Sequence, residues 1–294
     1  MPEVRAAGLE ALTLTTRLLQ RVRLADPEAG QWEAADLQWW WRLPRRSDTL
    51  EQCFWLDDEG PVAAVILTDW SGTWSCDPIV LPRPAGSSAA GDDVRLADVW
   101  RRAQELMAEL PPEPIEVLAR DDDVALAALL AASGSANTGA GDRTYWLAAA
   151  DRAPVAAVAE GFRLVDRVAD AARPHPLRVR NGEGVADRLA QCSLYDPRLD
   201  LAMLAPDGAV AGYALFWADR RTGVGLVEPV RVEEAHLRRG LGLALVTEGL
   251  ERLAGRGIGR IKVSCRSEAA CGLYERAGFR LAGTSTTWRR EPRG

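Results

Sequence analysis

The sequence predicts the α/β (α+β) class, with the chain folded as two similar domains, and three observations predict it. A chain of 294 residues is long for one compact domain and suits two of roughly 150 residues. Short apolar segments bounded by turn residues alternate with longer segments of helical spacing. The same order of segments occurs twice, as laying Gly60 to Trp146 over Gly208 to Trp288 shows.

Each half opens with a glycine turn and an apolar strand, Gly60-Pro61-Val62-Ala63-Ala64-Val65-Ile66-Leu67 and Gly208-Ala209-Val210-Ala211-Gly212-Tyr213-Ala214-Leu215. An acid-proline step follows inside a second strand, at Asp77-Pro78 and at Glu228-Pro229. Proline has no N–H to give to a ladder, so both strands should be interrupted or bulged there. Helices follow, over Val94 to Leu110 and over Leu241 to Leu253. Then come an I-x-V-x-x-R strand (Ile115 to Arg120, Ile261 to Arg266) and an L-[LY]-x-x-x-G match (Leu129 to Gly134, Leu273 to Gly278). Each half closes on a Trp-bearing strand, Thr144-Tyr145-Trp146 and Thr286-Thr287-Trp288. The junction is expected near Ala150 to Pro154, giving domains 1–150 and 154–294. One feature differs. Where the second half has His236-Leu237-Arg238-Arg239-Gly240-Leu241-Gly242, the first has a proline- and glycine-rich stretch from Pro82 to Gly91. The first half is therefore expected to be degenerate.

Composition excludes several classes. With 36 basic against 42 acidic side chains the net charge is −6, so no global positive field draws nucleic acid or an anionic membrane. Apolar runs reach about eight residues, as at Pro61 to Thr68, where a membrane span needs roughly twenty. The Met-Pro-Glu-Val start lacks the basic and apolar regions of a signal peptide, and a cytoplasmic protein, monomer or homodimer, is expected. Cys53, Cys76, Cys192, Cys265 and Cys271 are odd in number and form no C-x-x-C pair. Neither a disulfide framework nor a zinc site is suggested, and most should be small buried apolar side chains. Only His175 and His236 are present, a poor basis for a His-ligated metal or a Ser-His-Asp triad.

The turn Arg238-Arg239-Gly240-Leu241-Gly242 stands between an apolar strand and an amphipathic helix. Glycine lets the backbone approach a ligand closely, and the first helical amides point outward at the positive end of the helix dipole. A pyrophosphate suits that position, and two arginines add donors for it. The alternative is a plain turn with solvated arginines. The spacing fits neither a Walker phosphate loop nor the G-x-G-x-x-G fingerprint.

The turn does resemble the acetyl-CoA signature of the GNAT superfamily, [QR]-x-x-G-x-[GA] opening a long helix after a strand that ends in valine. Val232 stands eight residues before Gly240, as that pattern asks, while Leu237 takes the usual Gln/Arg place. The family's later N-x-x-A-x-x-L-Y-E-x-x-G-F is matched by Ser267 to Phe279, with Ser267 in place of Asn. The resemblance covers Gly161 to Trp288 well, and the first half only through the repeat. It implies two tandem domains, each a mixed, mainly antiparallel twisted sheet flanked by helices.

It further implies transfer of an acetyl group from acetyl-CoA to a primary amine of a small molecule or peptide. Backbone groups of Val230, Arg231 and Val232 would meet the pantetheine arm. Leu237, Arg238, Arg239, Gly240, Leu241, Gly242 and Leu243 would surround the pyrophosphate, with Ser267, Ala270 and Tyr274 completing the coenzyme site. Tyr274 would protonate the leaving thiolate; without the motif it would read as a core tyrosine. Glu228 shares strand parity with Val230 and Val232 and would either attract and deprotonate the amine or merely cap a proline bulge. Tyr195, Asp196, Asp200, Trp217 and Asp219 are acceptor-site candidates. Trp32, Trp39, Trp40 and Trp41 cannot all face one core and are read as core, seam or pocket residues. A sensor that binds acetyl-CoA without turnover, and a transferase for longer acyl chains, stay open as alternatives.

Overall fold

A computed structural model describes residues 1–82 and 94–292. In chain order they form β1 (Glu3–Ala6), α1 (Gly8–Ala25), α2 (Ala34–Trp40), β2 (Gln52–Asp57), β3 (Gly60–Asp69), β4 (Trp74–Val80), α3 (Leu96–Ala108), β5 (Ile115–Arg120), α4 (Val124–Ala132), β6 (Ala136–Ala148), β7 (Arg163–Asp166), α5 (Arg178–Asn181), α6 (Val185–Ala190), β8 (Asp200–Leu204), β9 (Val210–Asp219), β10 (Val224–Val232), α7 (Leu241–Ala254), β11 (Arg260–Cys265), α8 (Glu268–Arg276) and β12 (Arg280–Arg290). Two compact units result. The first holds residues 1–37, 44–142 and 284–294; the second holds 38–43 and 143–283.

In the first unit the strand order is β1-β2-β3-β4-β5-β12. All neighbours are antiparallel except β4 and β5, which pair in parallel at Trp74↔Ile115 and Ser75↔Glu116. Beyond those residues no further pairing joins the two strands. Helix α1 packs against β3, and α3 against β3 and β4. The apolar faces of α3, α4 and the strands meet in a core around Val65, Leu67, Trp74, Val99, Trp100, Leu106 and Leu130. The stretch expected to replace the glycine turn lies, from residue 83 onward, outside the described residues.

In the second unit the order is β6-β11-β10-β9-β8-β7, with β6 contributing residues 143–148. Again one pair is parallel, β10 with β11, at Val224↔Arg260, Gly225↔Ile261 and Leu226↔Lys262. The others are antiparallel. Helix α7 lies on β9 and β10, so close that a Cβ on Gly249 would stand 2.0 Å from the Phe216 ring. A mixed, mainly antiparallel sheet flanked by helices thus occurs in each unit, which is the expected class.

The two acid-proline steps behave differently. Along β10 the pairing with β9 slips by one residue between Val227 and Val230, the bulge that proline should cause. Strand β4 keeps a continuous register with β3 through Pro78, so the expected interruption is absent there. Leu81 N–H donates to Val62, and by alternation the nitrogen of Pro78 faces the other edge, where β4 has already parted from β5 and no ladder bond is lost. The cysteines also bring a correction. Cys265, ending β11, and Cys271, on α8, form a disulfide, because the β11–α8 turn brings their Cα atoms to 5.8 Å. Cys53, Cys76 and Cys192 are buried thiols.

Candidate functional site

The site is built on the open edge of β10 in the second unit. After Leu226, β10 leaves β11 but stays on β9, so Glu228 to Val232 run half-buried with the β11 side unpaired. A short helical turn at Glu234–His236 follows, then the glycine turn. Leu237, Arg238, Arg239 and Gly240 are exposed. Gly240 adopts φ +77°, the left-handed region that a side chain disfavours, and nothing lies within 4 Å of where its Cβ would be.

The N-terminus of α7 carries no side-chain cap, and its first internal bond runs from Ala244 N–H to Gly240 O. The amides of Leu241, Gly242 and Leu243 therefore lack partners within the helix and point outward with the positive dipole end. Arg239 also lies over the Phe162 ring, 6.0 Å from its centroid. Arg231 instead turns to Glu233 (3.3 Å), which Arg180 holds as well.

Helix α8 brings Tyr274 to the same opening. Its ring is buried and meets Phe279 edge-to-face with centroids 5.8 Å apart. Burial pushes its phenol above the usual tyrosine range, and the nearby charge of Glu228 pushes it further, so the hydroxyl is held protonated. The charge of Glu228, on β10, is thus felt at Tyr274, on α8. Ser267 caps α8, its Oγ accepting from Ala270 N–H at 3.2 Å; the hydroxyl in place of the motif's asparagine is engaged in folding.

The acceptor-site candidates separate. Trp217 is wholly buried, and its Nε1–H donates to the main-chain oxygen of Glu228 at 2.9 Å. Tyr195 OH donates to Asp200 Oδ2 at 2.9 Å, and His175 Nε2 meets the same oxygen at 2.8 Å. Because Leu177 N–H donates to His175 Nδ1, the ring proton belongs on Nε2 and points at Asp200. Asp196 is bound to Arg256, and Asp219 receives the Arg221 N–H. In the sequence His175 stands between Pro174 and Pro176 with no partner nearby. Its burial against Asp200, which lies 25 residues on, is set by the fold of the Arg173 to Leu199 segment. The tryptophans divide too: Trp39, Trp40 and Trp41 belong to the second unit, while Trp32 belongs to the first.

Residues 165–279 match the model of the acetyltransferase (GNAT) family. The mycothiol acetyltransferase of Clavibacter michiganensis subsp. michiganensis is 31% identical over 202 residues, covering 63% of this chain and 65% of that protein. Residues 165–279 thus carry the GNAT family's pattern. The mycothiol acetyltransferase of Clavibacter sepedonicus is 30% identical over the same length. In both cases the chain spans 65% of the relative's length, less than two thirds of it. Among solved structures, a tandem GNAT protein from the clavulanic acid biosynthesis pathway covers 99% of this chain and 98% of its own, with a TM-score of 0.68 at 18% identity. A GNAT protein from Sphaerobacter thermophilus gives a TM-score of 0.60 at 19% identity, with 99% and 96% coverage. At such identities the likeness shows the tandem GNAT fold of the whole chain. No helix among the described residues is long and apolar enough to cross a membrane.

Proposed function

We propose that the second unit transfers an acetyl group from acetyl-CoA to a primary amine of a small molecule or peptide. The observation that carries this reading is the open edge of β10 after Leu226, followed in the chain by a glycine turn and an uncapped helix N-terminus, with the charge of Glu228 on that edge felt at Tyr274. Acetyl-CoA supplies the activated thioester. The chain's own groups fit it: the unfilled space at Gly240, the outward amides of α7 and the exposed Arg238 and Arg239 suit a pyrophosphate. By strand alternation the backbone groups of Val230 and Val232 face the side that β11 has left, and they suit an amide-bearing arm.

Amide formation needs a neutral amine and a proton for the departing sulfur. Glu228, half-buried at the bulge, attracts a cationic amine and takes its proton through water. Tyr274, kept protonated by burial and by Glu228, holds the proton that the sulfur receives. The name of the curated relatives makes a mycothiol-related amine the first acceptor to try. We further propose that the halves 1–150 and 154–294 arose by duplication, with the active half second. The protein would work in the cytoplasm as a monomer or homodimer, without a nucleic-acid or membrane partner. The test is release of coenzyme A thiol across a panel of amines. Tight binding of coenzyme A with no turnover on any amine would favour a sensor instead.

A further inference from the structure

The first unit contains a cavity of 440 Å³, within the size range of small-molecule sites. It lies where β4 and β5 part beyond Ser75 and Glu116, between Ile79 and Val80 on one side and Leu118 and Ala119 on the other. At its depth stands Asp77, 3% exposed. This carboxylate accepts from Ser75 Oγ–H and from Trp32 Nε1–H, both at 2.8 Å. Both donors are neutral, so a fully buried negative charge lines the cavity with hydrogen bonds but, among the described residues, no ion-pair partner, an arrangement that is costly unless something compensates it.

The rest of the lining has the same sign. Asp26, Glu28, Asp122 and Asp123 border the cavity, with Glu28 and Asp122 exposed. Among the described residues of the lining one cation stands against them, Arg120, whose Nε donates to Asp122 at 2.8 Å and whose Nη1 reaches the main-chain oxygen of Glu28. An anion carrying a pyrophosphate would meet repulsion here. Leu19, Val22, Leu126 and the Trp32 ring supply an apolar wall, and an indole face also attracts organic cations.

We propose that this cavity binds an organic cation, a primary ammonium carried on an apolar body, with the ammonium against Asp77 and the body along the Trp32 wall. The site is separate from the one assigned to acetyl transfer and does not depend on that assignment. It would give the first unit a ligand of opposite charge to a coenzyme.

Calorimetry on the full chain with 2-phenylethylamine, 3-phenylpropionate and coenzyme A tests this. Saturable binding of the amine is expected, weakened at least about tenfold by Asp77→Asn, as for loss of a charge-assisted bond. The carboxylate should not occupy the site. Asparagine can keep both hydrogen-bond partners, so the variant should melt cooperatively. Glu28→Gln, at an exposed position, should weaken the amine about two- to threefold in low salt. The proposal is overturned if the parent shows no amine binding at millimolar concentration. It is equally overturned if Asp77→Asn leaves amine affinity unchanged, or if 3-phenylpropionate or coenzyme A displaces the amine from the Asp77-dependent site. Amines bound in the second unit are told apart by their indifference to Asp77→Asn.

Discussion

Trp217 and Glu228 are joined through a hydrogen bond of 2.9 Å from a wholly buried indole to the main-chain oxygen at the bulge of β10. The bulge frees that carbonyl from the ladder, and the indole satisfies it. The Glu228 backbone, and with it the direction of its side chain, is therefore fixed from β9. Replacing Trp217 with Phe should leave a buried acceptor unpaired and a small void, destabilising the chain by about 1–3 kcal/mol. If Trp217 positions Glu228, kcat/KM for the amine should fall about tenfold or more at temperatures well below the melting transition. Unchanged kcat/KM in a stably folded variant would show that the bond serves folding alone.

Tyr274→Phe separates an acid from a packing residue. The ring contact with Phe279 survives, and only the hydroxyl is lost. Coenzyme A affinity should stay within a few fold, while acetyl transfer falls by about a hundredfold, the effect of losing a general acid. Burial and the charge of Glu228 both raise the phenol, so the parent should lose no activity through Tyr274 deprotonation between pH 7 and about 10. A pH–rate profile that falls in that range only while Tyr274 is present would contradict this.

Gly240→Val should abolish coenzyme A binding and leave the fold intact. No atom lies within 4 Å of a Cβ at that position, so the fold has room for the side chain. Its φ of +77° is nonetheless unfavourable for valine, and a branched side chain would stand in front of the α7 amides. Titration calorimetry and a melting curve check the two halves of the statement. Retained affinity would move the pyrophosphate elsewhere.

Much of this was legible in the chain because its repeats pair chemistry with position. The order strand, acid-proline strand, helix, strand, helix yielded both sheets, and the bulge at Glu228-Pro229 followed from the missing N–H of proline. Which closing strand serves which unit was not legible, since Thr144-Tyr145-Trp146 and Thr286-Thr287-Trp288 have the same pattern. Trp288 pairs with Val117 in the first unit and Trp146 with Lys262 in the second, a choice that tertiary packing makes. The Cys265–Cys271 bridge was hidden for a similar reason: a spacing of six becomes a short distance only once β11 turns into α8. Among the acceptor-site candidates, Asp196 and Asp200 are committed to Arg256, His175 and Tyr195, partners that no local pattern announces.

The buried Asp77 should make stability depend on pH in a direction opposite to that of most carboxylates. An aspartate in the unfolded chain titrates near 3.9, whereas burial pushes Asp77 up to about 6 in the folded state, opposed in part by Ser75 and Trp32. The folded chain thus holds this proton more tightly than the unfolded one. Its contribution is fully present below about pH 4 and is lost as pH rises through about 6. A gap of about two units corresponds to a loss on the order of 3 kcal/mol. Asparagine has no charge to bury, so Asp77→Asn should match the parent near pH 4 and exceed it by on the order of 2–3 kcal/mol at pH 8, as read from urea unfolding at both values. Other titrating groups are common to both chains and cancel in the difference. Equal stability at pH 8 would mean that the carboxylate is compensated in the ligand-free chain. At pH 8, saturating 2-phenylethylamine should stabilise the parent by mass action and Asp77→Asn by at least about 1.4 kcal/mol less, the equivalent of a tenfold weaker affinity, narrowing the gap between them.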